Sequence, residues 1–186
     1  GLGLGTVVLT LAAQDTVKSL LGGFIIFADK PFKVGDYIKV QNYQGTVEDM
    51  TLRSTRIRQL DDSILQIPNS TIASSSIENL SKMRRRRYVL NLDIVEDTKT
   101  EKIVELKQRI YEDLMKNENI IKDTISIYFT EIAESSFRIS IIFYFDVTDY
   151  NEFLELKDAV NRNIVTILNK EKISLAYDTK TIEIKK

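Results

Sequence analysis

The chain has 186 residues, a formal net charge of −1 and an apolar fraction of 43%, which is enough for real cores and too near neutrality for general binding to polyanions. It contains no cysteine and no histidine. Disulfides, thiol chemistry, Cys/His metal centres and histidine acid–base catalysis are excluded together, and no metal or cofactor is expected.

Residues 1–29 carry only three charges, Asp15, Lys18 and Asp29, whereas the rest of the chain is dense in Lys, Arg, Asp and Glu. On a helix, at about 100° per residue, Leu4, Val7 and Leu11 fall on one narrow stripe. Gly1, Gly5, Val8 and Ala12 lie to one side of it, and Gly3, Thr6, Thr10 and Ala13 to the other. A helix with mostly small residues on both flanks can approach copies of itself on both sides, and head-to-tail contacts of that kind close into rings. The stripe then faces the ring axis as an apolar gate. Gln14 and Asp15 interrupt the apolar run before the roughly 20 residues that a straight span needs. A helix break is expected there, with Asp15 capping a second, amphipathic helix from Thr16 to Ala28. Gly22-Gly23 weakens that second half, and Lys30-Pro31 ends it. The pattern predicts a kinked, pore-lining transmembrane helix over 1–29, whose second half lies at the membrane surface. An ordinary buried helical hairpin is the alternative.

The run LAAQDTVKSLLGGFIIFADKPFKVGDYIKV, followed by QGTVEDMTLRSTRIRQLDDSILQIPNS, resembles the small-conductance mechanosensitive channel (MscS) family. In that family a pore helix leads through a Gln-Asp-Thr or Gln-Gly-Ser break into a P-F-x-x-G-[DE]-x-[IV] strand. The resemblance covers nearly the whole chain and is strongest from Leu11 to Asn69. It implies a homoheptameric channel of the inner membrane, opened by tension, that releases ions and small osmolytes on hypoosmotic shock. Membrane lipid is the other implied partner, and further transmembrane helices are implied upstream of Gly1. Val8 and Thr10 are bulkier than the Ala and Gly expected at their positions, and Val7 stands in place of Leu.

Lys30, Lys33 and Lys39 follow directly on the apolar stretch and favour the cytoplasm for residues after about 30. VGDYIKV, QGTVEDM, LRSTRIRQL and SILQIP then read as short strands separated by turns, the pattern of a small β-barrel over 30–82. The family implies an Sm-like ring domain here. Barrels of this size also bind nucleic acid, which is the competing function, and Arg53, Arg56 and Arg58 could track phosphates. No aromatic residue falls between Gln44 and Lys82 to stack on bases, so no nucleic-acid partner is expected. Pro68-Asn69-Ser70 ends the last strand and opens a short polar helical stretch, Thr71 to Leu80. In the family this turn faces the bent half of the pore helix, which implies a gate-to-body contact through Ser19 and Asn69. Ser19 and Ser70 occupy positions where Asn and Gly are common. Arg84, Arg85, Arg86 and Arg87 lead into the strand YVLNLDIV; in a ring with side windows they could line the portals and bias anion entry.

From Tyr88 onward the order is β-α-β-β-α-β, a ferredoxin-like domain over 83–177. Its first helix opens at Thr98 with Thr98 and Glu101 as a capping box, and carries Ile103, Leu106, Ile110 and Leu114 at helical spacing. FRISIIFYF puts Phe137, Ile139, Ile141, Phe143 and Phe145 on one sheet face. The second helix opens at Asp149, with Glu152 in the capping position, and a short strand near Ile173 to Ala176 completes the set. No spacing joins two carboxylates to a nucleophile or metal ligand, so an enzyme is not expected. The tail, residues 178–186, alternates Ile182 and Ile184 with charges. The family implies that such tails assemble into a C-terminal β-barrel, and a further strand on the chain's own sheet is the alternative. The fold class that results is a kinked membrane helix followed by an α+β cytoplasmic region.

Overall fold

Helix α1 (Leu2–Asp29) runs for 28 residues without interruption in the computed structural model, which describes residues 2–176. At 1.5 Å per residue it is about 42 Å long, longer than the roughly 30 Å of a bilayer's hydrocarbon core. The break expected at Gln14 and Asp15 is not formed: both residues continue the helix, and Asp15 caps nothing. An interior Asp costs a helix no more than about 0.7 kcal/mol relative to Ala, less than exposing the orphaned backbone groups of two new helix ends. Both residues are exposed. The helix ends where predicted, with Lys30 in the left-handed conformation (φ 48°), its N–H bonded to Ile26 O at 2.9 Å, and Pro31 following.

The chain divides after Met83 into two units. Beyond α1, the first holds β1 (Tyr37–Val40), β2 (Tyr43–Met50), β3 (Ser54–Arg58), β4 (Ile64–Pro68), a short helix α2 (Asn69–Ala73) and β5 (Ile77–Asn79). The strands pair antiparallel in the order β4-β3-β2-β1-β5, a sheet with edges at β4 and β5 instead of a closed ring. Gly45 is required where β2 crosses β3, since a Cβ there would run into Arg58 O and lie 2.7 Å from Ile57 Cγ2. Ile38, Val40, Val47, Ile57 and Ile67 form the core with Ile72 of α2, Phe32, and Ile26 of α1. The helix predicted to reach Leu80 stops at Ala73. Ser74 and Ser75 turn their hydroxyls onto the carbonyls of Ser70 and Thr71, at 2.9 and 2.6 Å, the local competition that disfavours helix continuation. Ile77–Asn79 then pair with β1.

The second unit comprises β6 (Arg86–Val95), α3 (Thr100–Lys116), β7 (Ser126–Ile132), β8 (Ser136–Phe145) and α4 (Tyr150–Glu171). Its antiparallel sheet runs β6-β8-β7, and Leu175 adds a single antiparallel bridge to Ile94. Ile139, Ile141, Phe143 and Phe145 are fully buried on one face of β8, against Ile103, Leu106, Ile110 and Leu114 of α3 and Val160, Ile164 and Leu168 of α4. Tyr88 stacks on Phe143 with ring centroids 4.8 Å apart and hydrogen-bonds Asn161 of α4 through its hydroxyl. Burial pushes its phenol up to about 12. Asp149 caps α4 as predicted, accepting the Glu152 N–H at 2.9 Å. The Thr98/Glu101 capping box does not form: α3 begins at Thr100, and Thr98 sits outside its first turn, donating to Val95 O at 2.7 Å. The tail strand over 178–186 lies outside the described residues.

Candidate functional site

Among the described residues, the first half of α1 is exposed along its length. Val7 is 56% and Leu11 65% exposed, and Gly3, Val8, Ala12 and Ala13 are exposed beside them. Gly1 and the side-chain environments of Leu4, Gly5, Thr6 and Thr10 lie outside what is described. No helical hairpin partner covers the described face. From Leu11 to Asp29 the helix is long and apolar enough to cross a membrane.

The second half docks by one narrow face. Ser19, Gly22, Gly23 and Ile26 are buried, while Leu20, Leu21, Phe24, Ile25 and Phe27 remain exposed. The approach is close enough to require both glycines. A Cβ on Gly22 would lie 2.6 Å from the carbonyl carbon and oxygen of Asn69, and one on Gly23 would run into Leu52 O and lie 2.8 Å from Asn69 Nδ2. Beside them, the hydroxyls of Ser19 and Ser70 hydrogen-bond at 3.1 Å.

Asn69, fully buried, is the centre of the surface that α1 meets. Its backbone N–H donates to Arg53 O at 2.9 Å, and its Oδ1 accepts from Thr55 Oγ1 at 2.9 Å. Its Nδ2 donates to Thr51 O and Leu52 O at 2.9 and 3.0 Å. One side chain thus locks α2, β3 and the β2–β3 turn into a single platform, which is the arrangement that buried polar groups need. Ser19 and Asn69 both sit at the junction, as the family resemblance implies, but they do not bond to each other. Contact runs through Ser19–Ser70 and through the glycines against Asn69. In the sequence Gly22-Gly23 looks like a weak point of the helix, and neither Thr51 nor Thr55 stands out; the two serines at positions 19 and 70 are the available signal for their pairing.

A second set of bonds ties down the exit from α1. The Asp36 carboxylate accepts from Asn79 Nδ2 at 2.8 Å and from the Lys33 N–H at 2.9 Å, while Asn79 Nδ2 and Lys82 Nζ reach Pro31 O at 3.1 and 3.0 Å. The Asn79 bond, with the Lys33 N–H and the charges of Lys82 and Lys33, holds the Asp36 carboxyl below its usual value despite partial desolvation.

Of the three arginines on and before β3, Arg58 pairs with Glu48 at 2.7 Å and Asp62 at 3.4 Å, and Arg56 approaches Asp49 at 3.9 Å. In the second unit the Arg85 guanidinium lies 4.6 Å from the Tyr144 ring, and that of Arg86 lies over Tyr150 and Phe153. Arg84 and Arg87 are exposed.

Two family models match this chain: the β-domain of mechanosensitive ion channels over residues 15–82, and the C-terminal region of the mechanosensitive ion channel MscS over residues 89–175. The chain belongs to the MscS family. It is 34% identical over 186 residues to the small-conductance mechanosensitive channel MscMJ of Methanocaldococcus jannaschii, covering 100% of this chain and 53% of that protein. The cryo-EM structure of Arabidopsis thaliana MSL1 superposes with a TM-score of 0.88 at 25% identity, over 94% of this chain and 64% of that one. The crystal structure of Helicobacter pylori MscS in its closed state has the same fold, with a TM-score of 0.83 at 24% identity over 100% of this chain and 72% of that one. This MscS-family chain spans about half the length of the curated relatives it matches.

Proposed function

We propose that this chain supplies the pore and the cytoplasmic body of a tension-gated ion channel, a homoheptamer of the inner membrane with residues after about 30 in the cytoplasm. Copies of α1 stand side by side through Gly1, Gly3, Gly5, Thr6, Val8, Thr10 and Ala12, and turn Leu4, Val7 and Leu11 toward a common axis. In the closed channel those side chains form a constriction that a continuous water column does not fill, so ions are stopped by dewetting. Membrane tension favours the state of larger in-plane area, the helices slide on their small flanks, and the constriction wets. Ions and small osmolytes then leave. The platform around Asn69, gripping α1 at Ser19, Gly22 and Gly23, ties that movement to the body.

The body in this reading is an Sm-like β unit, then a ferredoxin-like unit, then a tail that joins its copies in a β-barrel. Arg84, Arg85, Arg86 and Arg87 line openings through which anions enter. One observation carries the proposal: Val7 and Leu11 are more than half exposed, whereas the described residues of the same helix that are buried, Ser19, Gly22, Gly23 and Ile26, lie farther along. Apolar surface left bare in this way is what a membrane or further copies of the chain would cover. Patch recording under suction tests it. Leu11→Ser, which makes the constriction easier to wet, is expected to open at lower tension than wild type, and an unchanged threshold would remove Leu11 from the gate.

A further inference from the structure

Asp15 continues α1 through the point where a break was expected, and it stands one turn before Ser19, the first of the described residues of α1 that is buried. Residues four apart on a helix share a face, so the carboxylate emerges beside the docked side. Between α1 and the platform at that level lies a cleft of about 350 Å³. Asp15, Thr16 and Ser19 line it from the helix, and Arg53, Ser54 and Gln66 line it from the strands and the β2–β3 turn. Asp15 and Arg53 are its charged residues.

The wall opposite the helix is firm. Arg53 O accepts the Asn69 N–H at 2.9 Å, which fixes the backbone of the turn to the platform, and Gln66 Nε2 donates to Ser54 Oγ at 3.0 Å. The two charged side chains are not held in this way. Both are exposed, and among the described residues neither makes an ion pair or a side-chain hydrogen bond. The acidic residues of β2 are already matched, Glu48 with Arg58 and Asp49 with Arg56, while Lys18, three residues on from Asp15, lines a separate groove with Leu21, Ile25 and Ala73. A carboxylate and a guanidinium that share one cleft without meeting attract each other more strongly with any motion that narrows it.

We propose, on the channel reading above, that Asp15 and Arg53 form a latch that engages when the first half of α1 leans onto its own chain's β2–β3 turn. The lean draws Leu11, one turn before Asp15, toward the body and away from the copies it meets at the axis. The engaged latch therefore favours the conducting state. The pair can bias that equilibrium because it is made in one state and not in the other. An exposed ion pair shifts such an equilibrium only about two- to fivefold per copy. A bond of that strength still lets go when tension falls.

A charge exchange tests the latch, read by single-channel recording of the full chain in liposome patches under suction. Arg53→Glu, which sets like charges across the cleft, should raise the tension threshold and shorten openings at least twofold, and Arg53→Gln should do so by less. Asp15→Arg alone should act like Arg53→Glu, whereas Asp15→Arg with Arg53→Glu should bring both measures back near wild type, a rescue that loss of packing would not give. Should Asp15→Arg fail to enter the membrane, a second pair keeps the question open to measurement, since the chain has no native cysteine. In Asp15→Cys with Arg53→Cys, cadmium ions bridging the two thiolates should lengthen openings, and a chelator should reverse the effect. Single changes that leave threshold and open times as in wild type, an exchange that restores neither, or a cysteine pair indifferent to cadmium overturns the latch while leaving the channel reading intact. A lower threshold in Arg53→Glu overturns its assignment to the conducting state. No tension-activated current in wild type would remove the channel reading and the latch with it.

Discussion

The second unit and the N-terminal helix use apolar residues in opposite ways. In residues 84–176 the large side chains of β8, α3 and α4 find each other: Phe143, Phe145, Leu106 and Ile110 are fully buried. On α1, Val7, Leu11, Phe24 and Phe27 stay exposed, and among the described residues two glycines, a serine and Ile26 dock it. The first pattern describes a body that holds itself together. The second describes a surface completed from outside, and that contrast, more than the apolar content of the helix, separates the element proposed to conduct from the scaffold.

Substitutions on the two sides should therefore register in different measurements. The largest effect on folding is expected from Phe143→Ala, which removes a ring stacked on Tyr88 and edge-on to Phe145. It should cost about 3–5 kcal/mol in denaturant unfolding, whereas Leu11→Ala, on an exposed helix face, should stay within about 0.5 kcal/mol in detergent-solubilised monomer. Equal costs would erase the distinction. Gly22→Val comes next. Its side chain has no room against the Asn69 carbonyl, and about 1–3 kcal/mol of overpacking should separate helix from platform, read as a raised tension threshold and faster proteolysis between Asp29 and Tyr37.

Two pH effects are smaller and stay within the body. The Tyr88 phenol is raised from its ordinary value near 10 to about 12, so the stability it supplies is complete below pH 10 and is lost as pH climbs toward 12. That loss should amount to about 1–2 kcal/mol, and Tyr88→Phe should flatten the alkaline limb of the unfolding curve relative to wild type. The Asp36 carboxyl is lowered, so its contribution is present above the ordinary carboxyl value and fades as pH falls through the lowered one. Asp36→Asn should lessen the acid sensitivity of the first unit, with identical acid limbs counting against the Asn79–Asp36 clamp.

Strands and core helices were legible because each repeats a local period: alternation through FRISIIFYF, and Ile103, Leu106, Ile110 and Leu114 at helical spacing. Both failures over helix ends have one cause. Asp15 and Thr98 are good capping residues, but a cap forms only where the helix in fact ends, and nothing near Gln14 ends it. The stop at Ala73 was hidden in the serine hydroxyls that turn back on their own carbonyls. At the junction, residue types suggested the place but not the partners. Gly22 and Gly23 read as flexible along the helix, while their purpose is a tertiary approach set by Asn69, 46 residues on from Gly23. No local pattern encodes such a contact. The stripe of Leu4, Val7 and Leu11, proposed as the gate, is readable in the sequence because helical spacing is local.

The absence of native cysteine makes the central claim directly measurable. With Leu11→Cys as the single thiol in the full chain, oxidation in native membranes should yield a disulfide-linked dimer as the main product, since neighbouring copies would bring those positions together around the axis. Arg138→Cys, placed within the second unit's own ion-pair cluster, serves as the comparison and should remain monomeric. If Leu11→Cys stays monomeric under conditions where its thiol reacts freely with a soluble reagent, copies of α1 do not meet across a common axis and the pore reading fails.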